Sequence, residues 1–393
     1  MCRTGEVVLM EESTPMIPQL GTRISGMVRH IPPFYLKSTN YVIVWHGKMS
    51  PYQDYKAYTS RFVSEFGFES APNIRTLHKG ITTPSERHWQ SRTFDAHDKG
   101  PGHQRRYGLY AGENFRFRMN PLSSFVYSTQ FLQAEAMSYA YNHWRREFRG
   151  PSEENCSGIL VWQLNDIWPG TSWALVDVDL NRKASYYITK RALAKTVVGM
   201  ERVITKEPSY IVSGFLAEKG ALEIWAVNGF VTDLEAVLKL SAFDIETGDL
   251  VPLPGTEAER KVVLKPNQSN EITKLSIPNA EQTVVVAYLD DAKGQRLARW
   301  ISWPEPLKFV KFRSDLKVEV KVEGDDVVLS TNAPAKGVIV EVPLEEGEDA
   351  IFEDNFIDLV PGEVIRIKSR GLKGRTVSAK WLCDWESTKG FEL

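Results

Sequence analysis

A multidomain chain, with an α/β unit followed by two all-β sandwich units, is the fold class this sequence predicts, on three observations. Up to about residue 197, apolar runs of strand length alternate with stretches of helical period, the βα rhythm of an α/β domain. After residue 198 short alternating segments take over. The run Trp303-Pro304-Glu305-Pro306 then divides this β region into two units of about 100 residues each. A length of 393 residues agrees, since roughly 150 residues per domain gives two to three domains.

The elements follow in order. Residues 1–40 mix Gly, Pro, Ser and Thr with short apolar runs and hold neither a period of 2 nor one of 3.6. Tyr41-Val42-Ile43-Val44-Trp45 is a β-branched run that predicts a buried strand, and Arg61 to Gly67 a second. Between them Tyr52 to Tyr58 reads as a short helix. Residues 69–123 are long and polar, with two short helices expected at about 72–79 and 84–91. From Ser124 to Phe148 the spacing of Phe125, Phe131, Leu132, Ala136, Tyr139 and Trp144 is helical, and Gly150-Pro151 ends it. Gly158 to Leu164 is a nearly continuous apolar run, as in parallel strands covered on both faces. Ala184 to Lys195 predicts another helix. The later strands are expected around 222–226, 236–240, 284–289, 318–322, 327–329 and 337–342, with turns at Gly248-Asp249 and Gly324-Asp325.

Composition excludes several function classes. Forty-eight Lys and Arg against fifty Asp and Glu leave a net charge of −2, so the chain has no general attraction for nucleic acid or an anionic membrane surface. No stretch approaches the ~20 apolar residues of a transmembrane helix. Cys2, Cys156 and Cys383 are odd in number and far apart, which argues against a disulfide framework. No His/Cys cluster has metal-ligand spacing, and neither metal nor cofactor is expected. With no signal-peptide core at the start, a cytoplasmic location is the expectation. Eleven tryptophans, several between Trp144 and Trp173, suit either a packed core or aromatic platforms for sugars.

Two places can carry chemistry. Glu65 falls at the carboxyl end of a predicted strand, just before Gly67. In (β/α)₈ barrels that end mounts the catalytic side chains. Its neighbours Phe62, Phe66 and Phe68 make an unpaired carboxylate costly there, so an ion-paired structural role is the competing reading. Trp162-Gln163-Leu164-Asn165-Asp166-Ile167-Trp168-Pro169 sets a ring and three polar groups at the end of the next strand. Asn165 and Asp166 suit capping of the following turn equally well.

Together these motifs resemble the β-mannosidases of glycoside hydrolase family 2. The resemblance rests on Val44-Trp45-His46-Gly47-Lys48-Met49, Ser64-Glu65-Phe66-Gly67-Phe68, Val161 to Pro169, and Asn181-Arg182-Lys183-Ala184-Ser185-Tyr186-Tyr187, in order and at family-like spacing. It runs from about Val44 to the C-terminus and is closest to the fungal intracellular branch. It implies the C-terminal part of a (β/α)₈ barrel over 44–197 and immunoglobulin-like sandwiches over 198–304 and 305–393, behind a non-matching leader, 1–43. It implies a retaining exo-glycosidase that removes terminal β-linked mannose from mannosides and manno-oligosaccharides, with two carboxyl groups ~5–5.5 Å apart. Glu65 matches the nucleophile. Trp162 matches the platform beneath the sugar, and Trp45, His46, Asn165 and Asp166 are further candidate substrate contacts. Tyr52, Tyr55 or Tyr58 is placed to donate to Glu65. Self-association as a homodimer is left open.

The pattern departs from the family in one respect that matters. The family's acid/base is a Glu preceded by Asn, upstream of the nucleophile. Here the only Glu before Glu65 are Glu6, Glu11 and Glu12, and none follows Asn. Asn270-Glu271 has the dipeptide but lies in the β region. A full barrel takes about 250 residues, more than 44–197 offers. The expectation is therefore a truncated chain with little or no hydrolytic activity. The alternative is a non-catalytic carbohydrate-binding or scaffold protein built on the sandwiches.

Overall fold

The computed structural model describes residues 38–40, 44–58, 60–100, 102–204, 220–257 and 259–386. Three short parallel strands carry the first part of the chain: β1 (Ser38–Asn40), β2 (Phe62–Phe66) and β3 (Ile159–Val161), side by side in that order. β1 falls inside the expected leader, the rest of which lies outside the described residues. The strand expected over Tyr41–Trp45 is corrected as well. Val44 and Trp45 lie in a turn, and 41–43 are outside the described residues. The apolar character of Val44-Trp45 serves side-chain packing, with Trp45 set among Phe68, Tyr107 and Tyr110.

Helices cover one face of this sheet. They are α1 (Ile74–Gly80), α2 (Arg92–Ala96), α3 (His103–Asn114), α4 (Leu122–Arg146) and α5 (Ala184–Ala192). α4 is the long helix that the spacing predicts. Its Tyr141 and Trp144 meet the Phe66 ring edge-on, with centroids 5.3 and 5.0 Å apart. Residues 69–123 hold more order than their polar composition predicts. Asn73 and Ser91 cap α1 and α2 by accepting from the Arg75 and Phe94 amides. α3 buries Tyr107, Tyr110, Ala111 and Asn114, one helical stripe, while Gly108 and Gly112 face open space. The stretch expected helical at 84–91 keeps only a 3₁₀ turn, Pro84–Glu86.

The run Gly158–Leu164 does not behave as a strand buried on both faces. Only Ile159–Val161 forms a strand, and Phe62, Leu160 and Trp162 are exposed, because no described element packs on the front of the sheet.

The rest of the described chain is β. β4 (Thr196–Ile204), β5 (Gly220–Asn228) and β8 (Gln268–Ile277) form one sheet. β6 (Leu234–Asp244), β7 (Glu259–Leu264), β9 (Thr283–Asp291) and β10 (Arg296–Ser302) form its partner, ordered β10-β9-β6-β7. β4 begins two residues before the expected change at 198. β9 shows why Val284–Leu289 is apolar without alternation. Val285, Ala287 and Leu289 enter the sandwich core, whereas Val284 and Val286 join the core of the helical unit. A second sandwich packs β11 (Val318–Glu323), β12 (Asp326–Thr331), β16 (Ile365–Arg370) and β14 (Ile351–Phe352) against β13 (Ala335–Glu341), β15 (Ile357–Leu359) and β17 (Ser378–Lys380). The expected turn at Gly324-Asp325 closes the β11–β12 hairpin, with Glu323 paired to Asp326 and Gly324 at φ +69°.

Arginines join the units. Arg146, at the end of α4, reaches Glu201, Glu223 and Glu271 of the first sandwich at 2.7–2.9 Å. Arg75 donates to the carbonyls of Val342, Pro343 and Gly347, Arg182 to Phe352, and Arg191 to Asn355 and Phe356, all in the second sandwich. No helix among the described residues is long and apolar enough to cross a membrane. Cys156 and Cys383 are buried free thiols.

Candidate active site

The site begins with a defect of register. Val63 pairs with Ile159 and Phe66 with Val161, so β2 spends three steps where β3 spends two. The extra residue lets both Val63 and Phe66 face α4 and turns Glu65 to the open front of the sheet. There the Glu65 carboxylate makes no hydrogen bond or ion pair with any described residue. Partial burial still raises its pKa above the ordinary carboxylate value, since desolvation disfavours the charge.

Trp162 stands next to it across the strand pair. Its amide donates to the Phe66 carbonyl at 2.7 Å, and its ring is 51% exposed on the same front. The peptide from Trp162 to Gln163 is cis. Gly67 makes this approach feasible, because a Cβ there would lie 2.0 Å from the Trp162 carbonyl oxygen and 3.1 Å from the Trp173 ring. Trp173 in turn faces His46, with ring centroids 5.2 Å apart. Glu65, Trp162 and His46 are thus gathered at the carboxyl ends of the strands.

Beyond β3 the chain doubles back, with Val176 donating to Leu164 and Asp166 to Val176. Asn165 is exposed on this loop, its amide donating to the Asp166 carbonyl at 3.3 Å. Leu164, Ile167 and Trp168 form an apolar rim, with Trp168 stacked on His97 at 5.1 Å.

Two expected substrate contacts are corrected. Trp45 is buried, and its indole N–H donates to Glu69 Oε2 at 3.0 Å. Asp166 is buried too, holding Lys99 at 2.5 Å, Gln163 at 3.2 Å and the Ser172 hydroxyl. Neither side chain has a face left for a ligand. The expectation for the tyrosines also changes, since the Tyr55 hydroxyl donates to the Gly67 carbonyl at 3.3 Å, not to Glu65.

Beneath the front lies a charged layer that the sequence did not announce. Glu69 is fully buried; desolvation and the nearby Asp98 push its carboxyl up to about 8. Lys183 is buried as well, and desolvation draws its amine down to about 8 while it donates to the Ser70 and Ser172 carbonyls. The only hint was the Glu four residues beyond Glu65; Lys99 and Ser172 gave none. Among the described residues no His, Cys, Asp and Glu converge as a metal site. Chemically, the front offers an accessible carboxylate near an exposed indole ring.

Comparison with known proteins finds relatives of this chain. Residues 220–308 match the family described as Mannosidase Ig/CBM-like domain, and 312–381 match Ig-fold domain. β-Mannosidase B of Thermothelomyces thermophilus is 38% identical over 342 residues, which are 84% of this chain and 39% of that protein. β-Mannosidase B of Emericella nidulans is 32% identical over 345 residues, 86% of this chain and 39% of that one. The chain therefore spans about two fifths of the length of the curated relatives it matches. The crystal structure of β-D-mannosidase from Dictyoglomus thermophilum superposes with a TM-score of 0.71 at 22% identity, over 87% of this chain and 40% of that one. An exo-chitosanase of Amycolatopsis orientalis gives 0.60 at 14%, over 85% and 44%. These structural likenesses carry the fold: part of a (β/α)₈ barrel followed by two immunoglobulin-like sandwiches.

Proposed function

We propose that this chain, a relative of the β-mannosidases of glycoside hydrolase family 2, takes part in hydrolysing terminal β-linked mannose from mannosides and manno-oligosaccharides by a retaining mechanism. The observation that carries the reading is the pairing of Glu65 and Trp162 on the open front of adjacent parallel strands, flanking the Phe66–Val161 pair. Glu65 attacks the anomeric carbon and forms a mannosyl ester as the aglycone leaves. Water then cleaves the ester, restoring the carboxylate. Trp162 supports the sugar ring, and His46 and Asn165 hydrogen-bond its hydroxyls. Trp45 and Asp166 act at one remove, fixing Glu69 and the loop after β3.

General-acid assistance to the leaving group is worth about 10²–10⁴-fold. The described residues pair no second carboxyl with Glu65, so aglycones that leave without a proton are the better substrates. The division into units at about 197 and 304 belongs to the same proposal, as does a cytoplasmic location, which the free thiols of Cys156 and Cys383 support.

The test is trapping by 2-deoxy-2-fluoro-β-mannosyl fluoride, whose fluoride needs no acid to depart. Mass spectrometry of the digest should find the adduct on the peptide containing Glu65 and none in Glu65→Gln. An adduct elsewhere would overturn Glu65 as the nucleophile, and saturable mannoside binding to wild type with no adduct would favour a binding protein over an enzyme.

A further inference from the structure

A large cavity lies on the other side of α4. Its volume is about 950 Å³, at the top of the range for small-molecule sites. Five residues of α4 reach it, Glu135, Ser138, Tyr139, Asn142 and His143, which share one side of the helix. The opposite stripe, with Tyr141 and Trp144, packs on the sheet that bears Glu65. One helix thus separates the cavity from the candidate active site. β4, β10 and the segment 303–306 supply the facing wall, and the second sandwich closes one end.

The charges in this cavity are mostly spent on each other. Lys336 is held by Glu135 at 2.8 Å and Asp358 at 3.3 Å, Lys56 by Glu201 at 3.7 Å, and Arg299 by Glu363. Arg202 gives its guanidinium to Ser302 and to the carbonyls of Ala280 and Thr283. Three polar side chains remain available: Glu305, Asn142 and His143, whose two ring nitrogens are buried without a hydrogen-bond partner. Glu305 makes no ion pair among the described residues; it accepts a long bond, 3.4 Å, from the Tyr139 hydroxyl, and the Gln53 side chain also lies within reach of it. Burial, with Glu135 nearby, pushes its carboxyl up to about 7, so near neutrality it both donates and accepts. Asn142 Oδ1 is buried without a hydrogen-bond partner, while its amide nitrogen donates to the Met200 carbonyl at 3.4 Å. Tyr139 and Trp300, both part-buried, add ring surface.

These features narrow the ligand. A charged molecule finds little uncompensated field, because Lys56 and Lys336 are held by carboxylates and Arg202 by Ser302 and backbone carbonyls. A purely apolar one would seal Glu305 and Asn142 Oδ1 away from water without partners, which costs free energy. A neutral molecule with hydroxyls and C–H faces satisfies both the polar groups and the rings. We propose that the cavity behind α4 is a second binding site, for a short uncharged saccharide that Glu305 and Asn142 hydrogen-bond between the rings of Tyr139 and Trp300. It is separate from the Glu65 front and does not depend on hydrolysis there.

The experiment titrates β-1,4-mannotriose onto the full chain carrying Glu65→Ala and Trp162→Ala, which disables the front, and follows tryptophan fluorescence and heat. The expected result is saturable binding. Adding Glu305→Gln or Asn142→Leu should each weaken it about ten-fold, the scale of one lost buried hydrogen bond to a polar ligand. Trp300→Ala should abolish most of the fluorescence change, and serves as the second probe if an earlier variant loses its unfolding transition. Absence of saturable binding would overturn the proposal, as would binding that none of the three variants alters. Tighter binding of phenol or spermidine than of mannotriose would overturn the assignment to a saccharide. Loss of mannosyl trapping at Glu65 bears on the front alone and leaves these outcomes readable.

Discussion

The carbonyl oxygen of Trp162 comes within 2.0 Å of the point where a β-carbon on residue 67 would have to sit, so the main chain just past β3 is placed by a missing side chain on Gly67, the residue after β2. Gly67 has no positive φ to explain it. Close approach of another backbone is the reason for glycine here.

Gly67→Ala should therefore destabilise the chain by about 1–3 kcal/mol, at the upper end because the obstructing atom is main chain and cannot rotate away. Gly112→Ala is the control, since open space surrounds that site on α3 and the helix should gain about 0.5–1 kcal/mol. Urea midpoints of the two variants should move in opposite directions. Equal shifts would mean the approach of Trp162 is not what residue 67 accommodates.

Trp45 and Trp162 should separate stability from binding. Trp45→Ala empties a buried site and should cost about 3–5 kcal/mol. Trp162→Ala removes a half-exposed ring and should leave the unfolding midpoint nearly unchanged while abolishing mannoside binding at the front. Unfolding curves with mannosyl trapping on both variants test this directly.

Glu69 makes a prediction about pH. Its carboxyl titrates near 8 in the folded chain and near 4.3 when unfolded, so between those values the folded state holds the extra proton. Stability must then fall as pH rises from about 5 to 8. Glu69→Gln keeps an acceptor for the Trp45 indole and should flatten that slope. A slope unchanged in the variant would assign it to another group.

Arg146 predicts the opposite dependence. Its hydrogen bond, followed by that of Lys274, holds the Glu223 carboxyl below its ordinary value. A depressed carboxylate stabilises above the unfolded pKa, and the contribution is lost as pH falls through the folded one. Arg146→Met should cost about 2–3 kcal/mol at pH 7, less than a fully buried pair because the three carboxylates are part-exposed. The difference from wild type should shrink below about pH 4. Paired denaturation series at pH 7 and pH 3.5 measure it.

How far the sequence told of this depends on what each residue was doing. The long helix, β2 and most sandwich strands were legible because one side of each meets a core and the period follows. Val284–Leu289 was legible as a strand, but its two buried faces required knowing what packs on the far side. α3 was hidden by its glycines and arginines, which lie outside its buried stripe. Glu65 and Trp162 were legible as candidates because they stand at strand ends beside glycine and polar turns. Trp45 and Asp166 could not be told from ligand contacts, since a ring or carboxylate bound inward has the same letters as one facing a sugar. The layer of Glu69, Lys99 and Lys183 draws its members from three distant stretches, and only folding brings them together.

The joint between the helical unit and the second sandwich has a consequence for how such a protein can drift. Arg75, Arg182 and Arg191 grip carbonyl oxygens at residues 342, 343, 347, 352, 355 and 356, and the Tyr127 hydroxyl grips that of Gly337. A carbonyl is the same on every amino acid. At these bonds the helical side reads the path of its neighbour's main chain and not its spelling, so substitutions at those carbonyl positions leave them intact, whereas Asp349 and Asp354, which pair with Arg75 and Arg191 through their side chains, have no such latitude.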